Sequence, residues 1–208
     1  MAGSNPALSV PADGFAPIGH DVSFFSGMPD AAQVALNSKA VARTISRMAD
    51  EILELNAGLD RLVFVGIQRR GVQIADRLAD VIRDREGADV PRGALDITLY
   101  RDDLQTVGPR PVVGRTQIPV DIDDQVVVIV DDVLFTGRTI RAALDELADF
   151  GRPARIMLAV LVDRGGRELP IHADVIGKRI EVGPGGRVDV FVPILDGRDE
   201  VVVSGALL

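Results

Sequence analysis

The residues best suited to chemistry lie at positions 126–139, which read VVVIVDDVLFTGRT. Five β-branched residues run into two adjacent carboxylates, Asp131 and Asp132, and a Thr-Gly pair then leads into a predicted helix. Adjacent carboxylates accept hydrogen bonds from ribose hydroxyls, and the bare N–H groups of a glycine turn and a helix start bind phosphate. The segment therefore predicts a pocket for a ribose that carries a 5′-phosphate.

Two more loops follow apolar strands and carry cations. One contains Arg69, Arg70 and Gly71, and the other contains Arg164 and Gly165. Ligands of open α/β sheets bind beyond the carboxyl ends of the strands, so we expect these loops to meet the acidic pair. Arginine binds two phosphate oxygens at once, which suits a pyrophosphate, and glycine lets the backbone approach a phosphate closely.

Other sites built on an acidic pair fit the sequence less well. A Walker-type Mg²⁺ site needs a GxxxxGK[ST] loop, and a dinucleotide site needs GxGxxG after a strand, and the sequence contains neither pattern. The chain has no cysteine and only two histidines, His20 and His172, so a zinc site is not expected.

The elements that must position these loops follow from hydrophobic spacing. Helical spacing predicts helices over residues 40–55, over 72–83 and from Thr139, the last with Ile140, Leu144 and Leu147 as its buried stripe. Apolar runs predict strands, and alternation at Leu95, Ile97 and Leu99 predicts a strand that ends at Tyr100. The runs lie at residues 62–67, 126–130 and 156–162. Strands that alternate with helices imply a parallel sheet.

The remaining segments are polar or rich in turns. Residues 101–124 are too long for a passive connection and predict a lid over the site. Beyond Asp163, short strands at 187–193 and 201–203 predict a small β-rich appendage over the sheet edge. Residues 1–38 contain several prolines and no Lys or Arg, which predicts a flexible tail ahead of one domain at 39–208.

Composition narrows the classes of function. The chain has 208 residues and a net charge of −8, and 47% of its residues are hydrophobic. The length and the hydrophobic fraction are typical of a globular domain with a sizeable core. The negative net charge counts against nucleic acid as the sole partner. No apolar run approaches the ~20 residues of a membrane span. The absence of cysteine is consistent with a reducing cytoplasm.

Three stretches resemble one known family. They are GALDITLYRDDL at 93–104, VDDVLFTGRT at 130–139 and GRPARIMLAVLVDRGGRELPIHADVIGK at 151–178. They resemble the PyrR family, whose members attenuate pyrimidine operons and act as uracil phosphoribosyltransferases. The resemblance runs from about residue 40 to 178. It implies the α/β, type I phosphoribosyltransferase fold, a central mostly parallel sheet flanked by helices with a small β-rich hood.

The resemblance also implies an activity and its partners. Uracil and phosphoribosylpyrophosphate (PRPP) would give UMP and pyrophosphate, with Mg²⁺ carried by PRPP and no metal held by protein side chains alone. UMP or UTP would promote binding of pyrimidine operon mRNA. Family members form homodimers or larger homo-oligomers and are cytoplasmic, and no membrane partner is implied.

Site residues carry over by position. The resemblance gives Arg101, Asp131 and Asp132 catalytic roles and places Arg101 with the acidic pair Asp102 and Asp103 on the closing loop. The residues it implies for PRPP and UMP binding are Arg69, Arg70, Gly71, Arg101, Asp131, Asp132, Val133, Leu134, Phe135, Thr136, Gly137, Arg138, Thr139, Val162 and Arg164. The basic residues that it offers to RNA are Arg47, Arg141, Arg152, Arg167 and Lys178.

The chain departs from the family pattern at several positions. Phe135 stands where the family usually has Tyr and where purine-type relatives have an Asp that acts as a base, so a pyrimidine substrate is favoured. Arg69 replaces a Thr, Asp50 and Gly166 each replace a His, and Arg179 begins a different tail after Lys178. The lost donors are of the kind that RNA requires. Three alternatives stay open: a bifunctional regulator, an enzyme without RNA regulation, and a PRPP transferase for another nucleobase.

Overall fold

The computed structural model describes residues 32–100, 115–206 and 208, and residues 99 and 100 without their side chains. The described chain forms strands and helices in the following order: β1 (Gln33–Leu36), α1 (Ser38–Asn56), β2 (Leu62–Ile67), α2 (Arg70–Glu86), β3 (Arg92–Leu95), a 3₁₀ helix (Ile97–Tyr100), β4 (Val126–Leu134), α3 (Arg138–Leu147), β5 (Arg155–Asp163), β6 (Val175–Arg179), β7 (Arg187–Phe191), α4 (Pro193–Asp196) and β8 (Glu200–Ser204).

The central sheet has five parallel strands in the order β3-β2-β4-β5-β6. Every residue of β2 is buried, as expected for a strand covered on both faces. Side chains of β4 alternate between two cores: Val128 and Val130 pack with α1 and α2, while Val127 and Ile129 pack with α3. The predicted α/β fold with a parallel sheet is confirmed, and α3 lies on the face opposite to α1 and α2.

A second, antiparallel sheet forms the hood, with strand order β1-β8-β7. Its apolar side chains, including Val190 and Val203, join the core that α1 and α2 share with the central sheet. The short helix α4 connects β7 to β8, begins with Pro193 and ends at Gly197. The hood therefore covers the same face of the sheet as α1 and α2.

The start of the folded part differs from the prediction. Residues 33–36 form β1, which pairs with β8, and Ser38 begins α1, so ordered structure begins inside the segment predicted to be a tail. The side chain of Asn37 accepts a hydrogen bond from the N–H of Ala40 at 3.0 Å and caps α1. The prediction for residues 1–31 lies outside the described residues.

The segment after β3 also differs from the prediction. The strand ends at Leu95 and a 3₁₀ helix occupies Ile97–Tyr100. Asp96 accounts for the change, because its Oδ1 accepts hydrogen bonds from the N–H and the hydroxyl of Thr98 at 3.0 and 2.5 Å. Such a local turn competes with an extended backbone. The apolar alternation at Leu95, Ile97 and Leu99 therefore wrongly predicts a strand that continues to Tyr100.

Part of the predicted lid packs on the sheet edge. Residues 101–114 lie outside the described part, but Gln117 forms an antiparallel bridge with Ala94 of β3. The hydroxyl of Thr116 accepts the N–H of Asp96 at 2.9 Å and donates to Oε1 of Glu146 on α3. Glu146 is buried and its Oε2 has no described partner. This contact fixes the end of the segment between β3 and α3.

Two further differences concern α3 and the chain beyond β5. Leu144, predicted in the buried stripe of α3, is 36% exposed, whereas Ile140 and Leu147 are buried. Residues 175–179 form β6, the outer strand of the central sheet, so the chain after Asp163 is not wholly an appendage. Among the described residues, no helix is both long and apolar enough to cross a membrane.

Candidate functional site

The acidic pair lies within β4 rather than in a turn after it, because β4 continues to Leu134. Asp131 is 5% exposed, and its Oδ1 accepts the N–H of Asp132 at 3.0 Å. Asp132 is half-buried, and its Oδ1 accepts the N–H of Val133 at 2.9 Å. Strand pairing with β5 holds this backbone in register, so both carboxylates are fixed in place before any ligand arrives.

The side chains of Asp131 and Asp132 leave the strand on opposite sides, and their carboxylates still interact with each other. Side chains alternate along a strand, and Ile129 and Val130 belong to the α3 core and the α1–α2 core respectively. Continued alternation directs Asp131 toward α3 and Asp132 toward α2. Burial raises the pKa of Asp132, and the positive charge of Arg70, the first residue of α2, opposes that rise, which agrees with this direction.

Burial dominates the electrostatics of the pair. It raises the pKa of Asp131 well above its usual range, and the negative charge of Asp132 adds to that rise. Burial also raises the pKa of Asp132, against the opposing effects of hydrogen bonds from Asp131 and from the backbone and of the charge of Arg70. A buried carboxylate that lacks enough hydrogen-bond donors is stabilised when a ligand supplies hydroxyls. The pair is therefore suited to bind a diol.

A tight turn joins the acidic pair to α3. Gly137 has φ of +94°, and a Cβ there would come within 3.3 Å of Leu169 and Ile171, so both backbone and space require glycine. The N-cap residue of α3, Gly137, has no side chain to cap the helix, and the hydroxyl of Thr136 accepts the N–H of Arg138 at 3.4 Å. The next N–H groups of α3 have no acceptor within the helix. The carbonyl of Thr136 accepts the N–H groups of Glu168 and Leu169 at 3.0 and 3.1 Å. The turn thus leaves the N–H end of α3 next to the acidic pair.

The start of α2 packs closely against the same strand end. A Cβ on Gly71 would lie 2.4 Å from the carbonyl oxygen of Val130, so no other residue fits without moving α2. Arg70 donates from Nε and Nη2 to the two carboxylate oxygens of Asp196 at 3.2 and 2.9 Å. Arg69 is exposed and follows a cis peptide bond. The structure therefore brings the predicted Arg70 and Gly71 to the acidic pair.

Phe135 and Arg164 form the third side of the site. The guanidinium carbon of Arg164 lies 3.8 Å from the centroid of the Phe135 ring, and the ring is 42% exposed. Nη2 of Arg164 donates to the carbonyl of Gly186 at 3.0 Å, and its buried Nε has no described partner. Burial lowers the pKa of Arg164. A Cβ on Gly166 would lie 2.5 Å from Cε2 of Phe135, so the ring occupies the space of a side chain at 166.

The other predicted binding residues differ in their burial and in their partners. Leu134 and Val162 are fully buried, so their side chains face the cores. Arg138 is half exposed and forms an ion pair with Glu168 at 2.8 Å. Arg101, Asp102 and Asp103 lie outside the described residues.

The basic residues predicted to face RNA do not share one surface. Arg47 lies on α1 and Arg141 on α3, on opposite faces of the sheet. Arg167 is 18% exposed in its side chain and bonds inward, to Asp163 at 2.5 Å and to the carbonyl of Phe135 at 2.8 Å. These contacts use Arg167 to hold the loop beneath Phe135, and its contact with RNA stays a prediction.

Arg47 and Arg179 lie near each other at the β6 edge of the central sheet. Arg47 donates to the carbonyls of Ile176 and Gly177 at 2.9 and 2.5 Å and pairs with Glu51 at 3.0 Å. It lines, with Arg179, an open cleft of about 240 Å³ between α1 and β6. Lys178 and Arg152 are exposed.

Three residues that support the site have no signal in the local sequence pattern. Asp196 holds Arg70, Glu168 holds Arg138, and Asp163 holds Arg167. Asp196 is 126 positions away from Arg70, so only the tertiary structure reveals the contact. Among the described residues, no cluster of three or more His, Asp or Glu side chains could hold a metal.

Comparisons with known proteins agree with this geometry. Residues 34–194 match the phosphoribosyl transferase domain family. The chain is 56% identical over 168 residues to the bifunctional protein PyrR of Chloroflexus aurantiacus, which covers 81% of this chain and 92% of that protein. It is 53% identical over 166 residues to the bifunctional protein PyrR of Thermus thermophilus, which covers 80% and 92% respectively.

Solved structures with the same fold include a hypoxanthine phosphoribosyltransferase from Trypanosoma cruzi in a ternary substrates complex. Its TM-score is 0.65 at 20% identity, and the match covers 84% of this chain and 95% of that one. A hypoxanthine phosphoribosyltransferase from Staphylococcus aureus has a TM-score of 0.60 at 19% identity and covers 85% and 92%. At such low identity these structures support the fold alone.

Proposed function

This chain belongs to the PyrR family of phosphoribosyl transferase domain proteins, and on that premise we propose that it transfers the phosphoribosyl group of PRPP to uracil. The observation that carries the proposal is the fixed acidic pair at the end of β4, with the N–H end of α3 on one side and Arg70 on the other. This arrangement offers separate partners to the diol, the 5′-phosphate and the pyrophosphate of one ligand.

The ribose contacts follow from the positions of the two carboxylates. Asp131 and Asp132 accept hydrogen bonds from the ribose hydroxyls, and these donors offset the cost of burying the two charges. The 5′-phosphate binds the N–H groups of the turn and of the first turn of α3, a backbone path that the positive φ of Gly137 makes possible. Arg138, positioned by Glu168, adds a positive charge there.

The transfer breaks the bond from the anomeric carbon to the pyrophosphate oxygen and forms a bond from that carbon to N1 of uracil. The N1 proton leaves to solvent, and Arg70 neutralises charge that develops on the departing pyrophosphate. Phe135 supplies no base, and uracil loses its N1 proton more easily than a purine does. We therefore assign uracil ahead of purines, and we place Phe135 and Arg164 beside the ring.

Mg²⁺ fits this site as a companion of PRPP. The described residues offer two carboxylates and no third ligand, whereas Mg²⁺ commonly takes one or two carboxylates with substrate phosphates and water. Asp131 and Asp132 are the side chains that could contact it. The ion would neutralise pyrophosphate charge when bound.

The experiment is UMP formation from uracil, PRPP and Mg²⁺. An Asp131→Asn, Asp132→Asn double variant should lose activity, while Asp145→Asn, the same charge change at an exposed position on α3, should retain it. Activity that survives in the double variant would remove the assignment. Hypoxanthine and guanine, offered in competition with uracil, test whether the site accepts another base.

A second candidate function is binding of pyrimidine operon mRNA in the presence of UMP or UTP. The cleft between α1 and β6 is lined by Arg47 and Arg179 and also by Glu51 and Asp174, so exposed Lys178 next to it supplies the excess positive charge that favours RNA. A gel-shift titration with leader RNA, with and without UMP, should show a salt slope of about −0.7 per neutralised phosphate. A Lys178→Glu, Arg179→Glu variant should weaken the shift, whereas Arg61→Glu, at an exposed position directly before β2, should not. No shift at low salt would leave an enzyme without RNA regulation.

The family membership also supports a cytoplasmic homodimer or larger assembly. Analytical ultracentrifugation of the full chain measures the assembly, and a purely monomeric species at micromolar concentration would contradict it.

A further inference from the structure

The contact between Arg70 and Asp196 has a geometry that leaves part of the guanidinium open. Asp196 receives Nε and Nη2, which is one of the two forks that an arginine presents. The second fork, formed by Nη1 and the other hydrogen of Nη2, has no partner among residues 32–100 and 115–206. A carboxylate that takes one fork therefore fixes the direction in which the other fork points.

Asp196 is itself held firmly. Its side chain is 17% exposed, and its Oδ2 also accepts the N–H of Val192 at 2.9 Å. The short helix α4 begins at Pro193 and ends at Gly197, whose N–H donates to the carbonyl of Pro193 at 2.9 Å. The carboxylate is thus part of the rigid connection between the hood strands β7 and β8.

The surrounding charges explain why Arg70 needs such a partner. The carboxylates of Asp196, Asp132 and Asp189 all act on Arg70 and raise its pKa, Asp196 most strongly. A free guanidinium at this place could turn onto Asp132, which would occupy the carboxylate that the ribose requires. Asp196 keeps Arg70 beside the acidic pair without allowing it to close on that pair.

We propose that Asp196 is a positioning residue for the pyrophosphate-bearing substrate, because its bidentate contact from the hood holds the free fork of Arg70 toward the pyrophosphate. This inference rests on the proposed function, since it presupposes a ligand with a pyrophosphate at this side of the acidic pair. It makes the hood a contributor to PRPP binding as well as a cover for the core.

The same helix and the same hood provide a matched control. Arg77, two helical turns along α2, donates from Nη1 and Nη2 to the two carboxylate oxygens of Asp199 at 2.8 and 3.0 Å. Two turns correspond to about 10 Å along the helix axis. The Arg77–Asp199 pair is therefore also a two-bond contact between α2 and the hood, made through Nη1 and Nη2 and away from the acidic pair.

The experiment compares Asp196→Asn, Asp199→Asn, Arg70→Ala and the double variant Arg70→Ala, Asp196→Asn. We expect Asp196→Asn to raise KM for PRPP about tenfold, with kcat and KM for uracil within about threefold, because one oriented charge-assisted contact is lost. Asp199→Asn should leave KM for PRPP within about twofold. In the Arg70→Ala background, Asp196→Asn should add less than twofold, since Asp196 acts through Arg70.

Several results would overturn the inference. These are an unchanged or lowered KM for PRPP in Asp196→Asn, an equal rise in Asp199→Asn, or additive effects in the double variant. Calorimetric titration of each variant with PRPP and Mg²⁺ measures the same contact without turnover. A wild-type chain that binds PRPP but makes no UMP refutes the assigned acceptor, while the binding comparison still decides the role of Asp196.

Discussion

Substitution of Asp131 by asparagine should separate stability from function. The carboxylate is 5% exposed and lies beside a second carboxylate, and burial raises its pKa well above the usual range. The folded chain therefore binds a proton on Asp131 at pH values where the unfolded chain has lost it. Stability then falls as pH rises through this interval, by about 1.4 kcal/mol for each pKa unit of the rise.

Asparagine removes this cost because it is neutral at every pH and keeps an oxygen that can accept the N–H of Asp132. We expect Asp131→Asn to raise the free energy of unfolding at pH 8 by about 1 kcal/mol, which is a typical gain when a destabilising feature of a functional site is removed. For a chain of this length the corresponding rise in Tm is about 2–4 °C. The gain should shrink at pH 5, where the wild-type carboxyl is more protonated.

The assay is thermal unfolding at pH 8 and pH 5, combined with PRPP titration. Asp145→Asn on α3, an exposed carboxylate, controls for the change in net charge and should shift Tm by less than about 1 °C. PRPP binding by Asp131→Asn should weaken at least about tenfold, since a charge-assisted hydrogen bond is lost. A lowered Tm at pH 8, or a gain that is the same at both pH values, would refute the reasoning.

Other predictions concern packing and buried polar groups. Gly71→Ala should destabilise the chain by about 1–3 kcal/mol and abolish PRPP binding, because its Cβ would lie 2.4 Å from the carbonyl of Val130. Gly87→Ala, where nothing lies within 4 Å, should cost about 1 kcal/mol and leave binding intact. Urea unfolding measures the stability of both variants, and calorimetry measures their PRPP binding. Thr116→Val should cost about 1–3 kcal/mol by leaving buried Glu146 without its hydroxyl donor, and adding Glu146→Leu should recover part of that loss in urea unfolding; a further loss would contradict this.

The sequence predicts the elements in which pattern and packing agree. The strand Leu62–Ile67 has the predicted bounds, because its unbroken apolar run is buried on both faces. At Asp96 the apolar alternation persists, but a side-chain hydrogen bond to Thr98 turns the backbone. The strand β6 escapes prediction because Gly177 and two cations interrupt it, although a Cβ at Gly177 would lie 2.4 Å from the carbonyl of Leu161. Such close approach is a property of the sheet and has no local signature.

A sequence shows which residues are charged, but the burial of these side chains and their ion-pair partners decide what they can bind. Arg167 and Lys178 look alike in the sequence, yet the first bonds inward beneath Phe135 and the second is exposed. Arg70 likewise reads as a phosphate ligand, and its pairing with Asp196 emerges only when the hood is placed on the sheet. Motifs therefore predict candidate ligand-binding residues, and they miss the residues that orient those side chains.

The position of the acidic pair inside β4 gives the site its shape. Because neighbouring side chains of a strand point to opposite sides, Asp131 lies toward α3 and the turn at Gly137, while Asp132 lies toward Arg70. Under the proposed function, a ribose bound across the strand end would reach both carboxylates while its 5′-phosphate and its pyrophosphate diverge to opposite sides. A single acidic residue in a free turn could not impose that direction. The proposed site depends on both aspartates because the strand fixes the direction of one side chain relative to the other.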